Sequence, residues 1–103
     1  MKRYIGVEYT GRRLPMSREQ EAAQAKALRA LAEVPGVAAL WKQLEAFDAE
    51  HDEAQAEAAE DAYYAGIRYA LEYLCDAATA ESTGISWRSV RQAEATYHLV
   101  EQG

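Results

Sequence analysis

TGISWRSVRQAEATYHLV, residues 83–100, decides how the C-terminal part of the chain folds. Gly84 is the residue type that ends a helix, because it lacks the Cβ that makes a left-handed turn costly. Ser86 follows two positions later with a hydroxyl able to accept a first-turn amide, so the string predicts a new helix from Trp87 to Val100.

Upstream of the break, Tyr63, Ile67, Leu71, Leu74 and Ala78 recur at helical spacing and predict a helix over Ala62 to Ala78. Ala54, Ala58, Ala62, Gly66 and Ala70 form a ridge of small residues, which predicts a close helix crossing at Gly66. Earlier still, Val37, Leu40, Leu44, Phe47, His51, Ala54 and Ala58 alternate by three and four. That helix either runs on to about residue 75 or bends near residues 48 to 56.

Ser17 and Gln20 have capping-box spacing just after Pro15, and Ala23, Ala27, Leu28, Leu31 and Val34 mark a helix from Arg18 to Glu33. Pro35-Gly36 then stops it and opens a helical hairpin. In the first residues, Ile5, Val7 and Tyr9 alternate with Tyr4, Gly6 and Glu8, a period that suits a short strand. Its partner is open: Arg12 to Met16, a second copy of the chain, or none. The sequence thus predicts an all-α protein. Residues 17–103 form a small antiparallel bundle of four helical pieces, and residues 1–16 form a basic arm or strand before it.

The 103 residues suit a single domain. One cysteine, Cys75, excludes an intrachain disulfide and makes the cytoplasm the expected location. No signal-like or membrane-spanning run is present, so no membrane role is expected. The net charge of −6 argues against a large phosphate-contacting surface, but the charges are segregated. Residues 2–18 carry five cations against Glu8 alone, whereas residues 45–62 carry eight acids and neither lysine nor arginine.

Ala80, Gly84, Ile85, Val90 and Ala93 occupy the small, turn and buried positions of a helix-turn-helix, which residues 79–98 resemble. The resemblance implies DNA binding, with Ser86, Trp87, Arg88, Arg91 and Gln92 on the reading surface and a dimer as the expected state. Thr79 and Thr83 depart from the motif, which prefers aliphatics there. The run from Ala62 to Leu74, AYYAGIRYALEYL, is similar to the aromatic-glycine-aliphatic helix of small helical proteins of phages and mobile elements. That likeness implies a protein that binds and blocks another.

The acidic block points the same way. Glu50, Glu53, Glu57, Glu60 and Asp61 repel one another with no lysine at four-residue spacing, and a cationic partner relieves that repulsion. Tyr64, Tyr69 and Tyr73 cannot all share the inward face with Ile67, Leu71 and Leu74, so some of these rings are expected at the surface. Trp41 and Trp87 are expected in the core.

The first expectation is therefore a small protein-binding module, an inhibitor or regulator acting on a basic partner surface. A DNA-binding regulator and an assembly subunit are the alternatives. Asp48 with His51, and Glu94 with His98, have unspecific spacing, so no metal or other cofactor is expected. Cys75 sits in an apolar helical run, and no nucleophile elbow or phosphate-cradling loop is present, so no enzymatic activity is expected.

Overall fold

The computed structural model describes residues 2–51 and 62–102, and the chain is not all-α. In chain order the described elements are β1 (Lys2–Tyr9), α1 (Arg18–Ala32), α2 (Pro35–Glu50), α3 (Ala62–Thr83), α4 (Trp87–Gln92) and β2 (Ala95–Gln102). The two strands form an antiparallel sheet in the register Lys2↔Gln102 through Tyr9↔Ala95. The expected helix from Trp87 to Val100 therefore stops at Gln92, where Ala93 turns extended at φ −73° and ψ 148°.

The reason lies in residues 95–100. Thr96, Tyr97 and Val100 are β-branched or aromatic, types that fit a pleated half-buried surface, and Tyr97 and Leu99 alternate with Thr96 and His98. This period of two matches that of Ile5 and Val7, which stand opposite Leu99 and Tyr97. All four pack into or against one apolar cluster. A two-stranded sheet alone is marginal in water; here its inner face is covered. Beyond the strands the ladder continues: Thr10 N–H donates to the Glu94 carbonyl (2.9 Å) and Glu94 N–H donates to the Arg12 carbonyl (2.9 Å). The expected strand at the N-terminus is thus present, and its partner is β2 rather than Arg12 to Met16.

α1 begins with the expected capping box: Gln20 N–H donates to Ser17 Oγ (3.1 Å), and Ser17 N–H donates to Gln20 Oε1 (2.9 Å). Its buried stripe, Gln24, Leu28 and Ala32, lies at four-residue spacing. Gln20 Nε2 donates to the Thr83 carbonyl (3.2 Å) and Gln24 Nε2 donates to Thr79 Oγ1 (3.1 Å). As the α1 number rises the α3 number falls, so the two helices run antiparallel.

α1 ends at Ala32, before Pro35 as expected, with Val34 extended ahead of the proline; Pro35 itself opens α2 at the first position, where its missing N–H has no intrahelical partner to lose. Val37, Trp41, Leu44 and Phe47 bury along α2, and His51, with extended backbone, ends it. α2 thus ends at His51, within residues 48 to 56, the span in which one of the two alternatives placed a bend; residues 52–61 of the acidic block lie outside the described residues. The main core joins Leu28 and Ala32, Val37, Trp41 and Leu44, Ile67, Leu71 and Cys75, and Ile5. Among the described residues nothing lies within 4 Å of where a Cβ of Gly66 would stand, so none of them crosses α3 closely there; Ala54 and Ala58 of the expected ridge lie outside the described residues.

Candidate functional site

The polar connections that hold α4 in place converge on Asp76, a carboxylate only 7 % exposed on the inner side of α3. Arg91 Nη1 donates to its Oδ2 (2.7 Å), and the Tyr97 hydroxyl donates to its Oδ1 (2.5 Å). One side chain thus ties α3 to α4 and to β2, around a small polar cavity of about 170 Å³ lined by Glu72, Asp76, Arg91, Ala93, Ala95 and Tyr97. The turn before α4 is equally determined. Gly84 takes φ +75°, Thr83 Oγ1 accepts from Ile85 N–H (3.2 Å), and Ser86 Oγ accepts from Ser89 N–H (3.1 Å). Val90 anchors the short helix from beneath, buried at its middle.

On this base stands an aromatic surface. Tyr69 and Tyr73, one helical turn apart on α3, are 60 % and 48 % exposed, and Trp87 at the start of α4 is 41 % exposed. The Tyr73 and Trp87 rings lie 5.2 Å apart at 59°. Arg91 stacks its guanidinium 5.7 Å from the centre of the Trp87 ring while its other end is held by Asp76. Glu72, three residues after Tyr69 on α3, is also exposed.

Four expected contact residues therefore meet on one face, drawn from two separate sets: Tyr69 and Tyr73 from the protein-binding set, Trp87 and Arg91 from the DNA-reading set. Trp87 was expected in the core; it is outside because Val90 and Ile85, not the indole, face inward from this segment. Of the other protein-binding residues, Tyr64 is elsewhere, stacked on Phe47 at 4.3 Å, and Glu50 is exposed at the end of α2. Glu53, Glu57, Glu60 and Asp61 lie outside the described residues.

The helix-turn-helix resemblance keeps its glycine turn but not its second helix. α4 has six residues, and Tyr97 and His98 belong to β2. Arg88 and Gln92 are exposed on α4, Ser86 caps it, and Arg91 is committed to Asp76. Sequence reasoning missed Asp76 and Tyr97 altogether. The available signal was a charged residue beside Cys75 and Thr79, all three in the buried stripe of α3.

Burial pushes the Cys75 thiol up to about 12, and the charges of Asp76 and Glu72 add to the effect. The Tyr97 hydroxyl is also raised, first by burial and then by its hydrogen bond to Asp76. Both groups keep in the folded state protons that the unfolded chain releases at ordinary thiol and phenol values. Their contribution to stability is therefore whole below the ordinary thiol value of 9.0 and is lost as pH rises toward about 12. The unfolding free energy from urea denaturation at neutral to alkaline pH should fall by about 1.4 kcal/mol per pH unit once that value is passed. A flat profile would show that neither proton is retained.

Comparison of the chain with protein-family models, with curated proteins and with solved structures finds no match. Among the described residues no helix is long and apolar enough to cross a membrane.

Proposed function

We propose that this chain is a non-catalytic protein-binding module, an inhibitor or regulator, whose contact surface is the aromatic face of α3 and α4 and whose partner presents basic side chains. The observation that carries this reading is three large rings, Tyr69, Tyr73 and Trp87, exposed together on two elements locked by Asp76. Tyrosine, tryptophan and arginine are the side chains that supply most binding energy at protein interfaces, and they do so from rigid positions because little entropy remains to be lost.

Charge selects the partner. Glu72 is exposed on α3 to one side of Tyr69 and Tyr73, and exposed aromatic faces attract lysine and arginine. The eight acids of residues 45–62 precede the surface in the sequence and add to the field that steers a cationic partner.

The test is calorimetric titration with lysine- and arginine-rich amphipathic peptides. The double variant Tyr69→Ser/Tyr73→Ser removes exposed rings without touching the core, and should weaken binding by about 30-fold, the loss typical of interface anchors. Equal affinity in variant and wild type counts against the surface. Arg88→Glu serves as the control for DNA reading, because it changes the exposed charge of α4 and leaves the Asp76 pair intact. Loss of duplex binding in that variant, with peptide binding unchanged, would favour a nucleic-acid role.

A further inference from the structure

On another part of the molecule, four of the eleven cations of this acidic chain converge on one groove. It lies between the first residues of β1 and the C-terminal half of α1, encloses about 790 Å³, and is lined by Lys2, Arg3, Tyr4, Lys26, Arg29 and Glu33 among others. Lys26 and Arg29, three apart, share one face of α1, and Glu33 follows at its C-cap. Lys2, Arg3 and Tyr4 come from the opposite wall. Glu33 is the one acid among the lining residues.

The cations are not consumed by neighbours. Among the described residues, Lys2, Lys26 and Arg29 have no carboxylate within ion-pair distance. Arg3 Nε is shut off from solvent with no hydrogen-bond acceptor. The carboxylate nearest to it, Glu101, is 3.9 Å away and is shared with Lys42 at 3.4 Å. With Lys2, Lys26 and Arg29 unpaired among the described residues and Arg3 only loosely paired, the groove carries an excess of positive charge that an anion seated in it offsets.

We infer that this groove binds a ligand carrying several closely spaced phosphate groups. Two arginines offer planar forks that match phosphate oxygens, two lysines add charge, and Tyr4 offers a ring against which a planar group on the ligand can stack. Such a ligand is a nucleoside polyphosphate or a stretch of single-stranded nucleic acid; both present the same phosphate chemistry. The site is separate from the aromatic face of α3 and α4 and does not depend on it.

The test is fluorescence anisotropy at low and moderate salt with two probes, a labelled adenosine triphosphate and a labelled oligothymidylate, with inorganic tripolyphosphate as competitor. Salt-sensitive binding is expected, weakened about 10-fold or more in Lys26→Gln/Arg29→Gln and unchanged in Arg88→Gln. Both substituted groove positions are exposed on α1, and a circular dichroism melt of the variant checks that it folds. Arg3→Gln should weaken binding as well. Binding of the nucleotide, displaced by tripolyphosphate, supports the groove with a small ligand; binding of the oligonucleotide alone supports it with a strand. The inference is overturned if neither probe binds at low salt, or if Lys26→Gln/Arg29→Gln binds as the wild type does. It is also overturned if polyglutamate displaces the probes as well as tripolyphosphate does.

Discussion

Replacing Asp76 with alanine should lower the unfolding free energy by about 3 kcal/mol, more than the loss of an ordinary surface ion pair. Three effects combine. The Tyr97 hydroxyl loses its acceptor within the fold, the Arg91 guanidinium loses its partner, and a buried side-chain volume empties. Because Arg91 is partly exposed, water repays some of its loss, which keeps the expected figure below that of a fully buried pair. Urea denaturation followed by circular dichroism measures the difference. Tyr97→Phe alone should cost about 1 kcal/mol, since it removes the hydrogen bond and leaves the ring. The same Asp76→Ala variant should free α4 and broaden the Trp87 signals, because Arg91 no longer holds both the carboxylate and the indole face. A loss under about 1 kcal/mol would mean that Asp76 does not join α3, α4 and β2.

Leu28→Ala should be at least as damaging, at about 3–4 kcal/mol. Leu28 is 1 % exposed and lies in the cluster that unites Ile5 of the sheet, Trp41 of α2 and Cys75 of α3, so the cavity left behind is walled by several rigid elements. Such a site relaxes little, and the cost of the void is added to the lost transfer free energy. A protein of this size loses roughly 4–8 °C in Tm for each kcal/mol, so thermal scans should register a drop of well over 10 °C. A small shift would show that α1 is not the element on which the sheet and the other helices are built.

How much of this was legible in the sequence depended on how local the cause was. The start of α1 was readable because Ser17 and Gln20 satisfy each other's backbone amides within one turn. The break at Gly84 and the cap at Ser86 were readable for the same reason. Ile67 and Leu71 of the expected α3 stripe are buried, and some of the three tyrosines are at the surface, as helical spacing implied; Tyr63, expected on the apolar face, is 56 % exposed instead.

β2 did not follow. Residues 95–100 suit either a helix or a strand locally, and what selects the strand is β1, whose Ile5 stands opposite Leu99 across the whole length of the chain. The same distance hid the site. Asp76 reads as a stray acid in an apolar stripe until Arg91 and Tyr97, fifteen and twenty-one residues on, are brought to its two oxygens. Trp87, expected in the core, is outside because a helix of six residues held by Val90 has room for only one inward face. The helix-turn-helix likeness lay in the turn, which is local, and did not extend to the length of the following helix, which the sheet sets.

The proposed contact surface can be tested most directly through its own fluorophore. Trp41 is 7 % exposed and Trp87 is 41 % exposed, so added acrylamide should quench Trp87 and spare Trp41, an assignment that Trp87→Phe checks. Saturation with a lysine- and arginine-rich amphipathic peptide should reduce the quenching of Trp87 toward that of Trp41, and Tyr69→Ser/Tyr73→Ser should abolish the protection at the same peptide concentration. Full acrylamide access to Trp87 in a complex shown by calorimetry to be saturated would contradict the account, because the peptide would then be bound somewhere other than the aromatic face of α3 and α4.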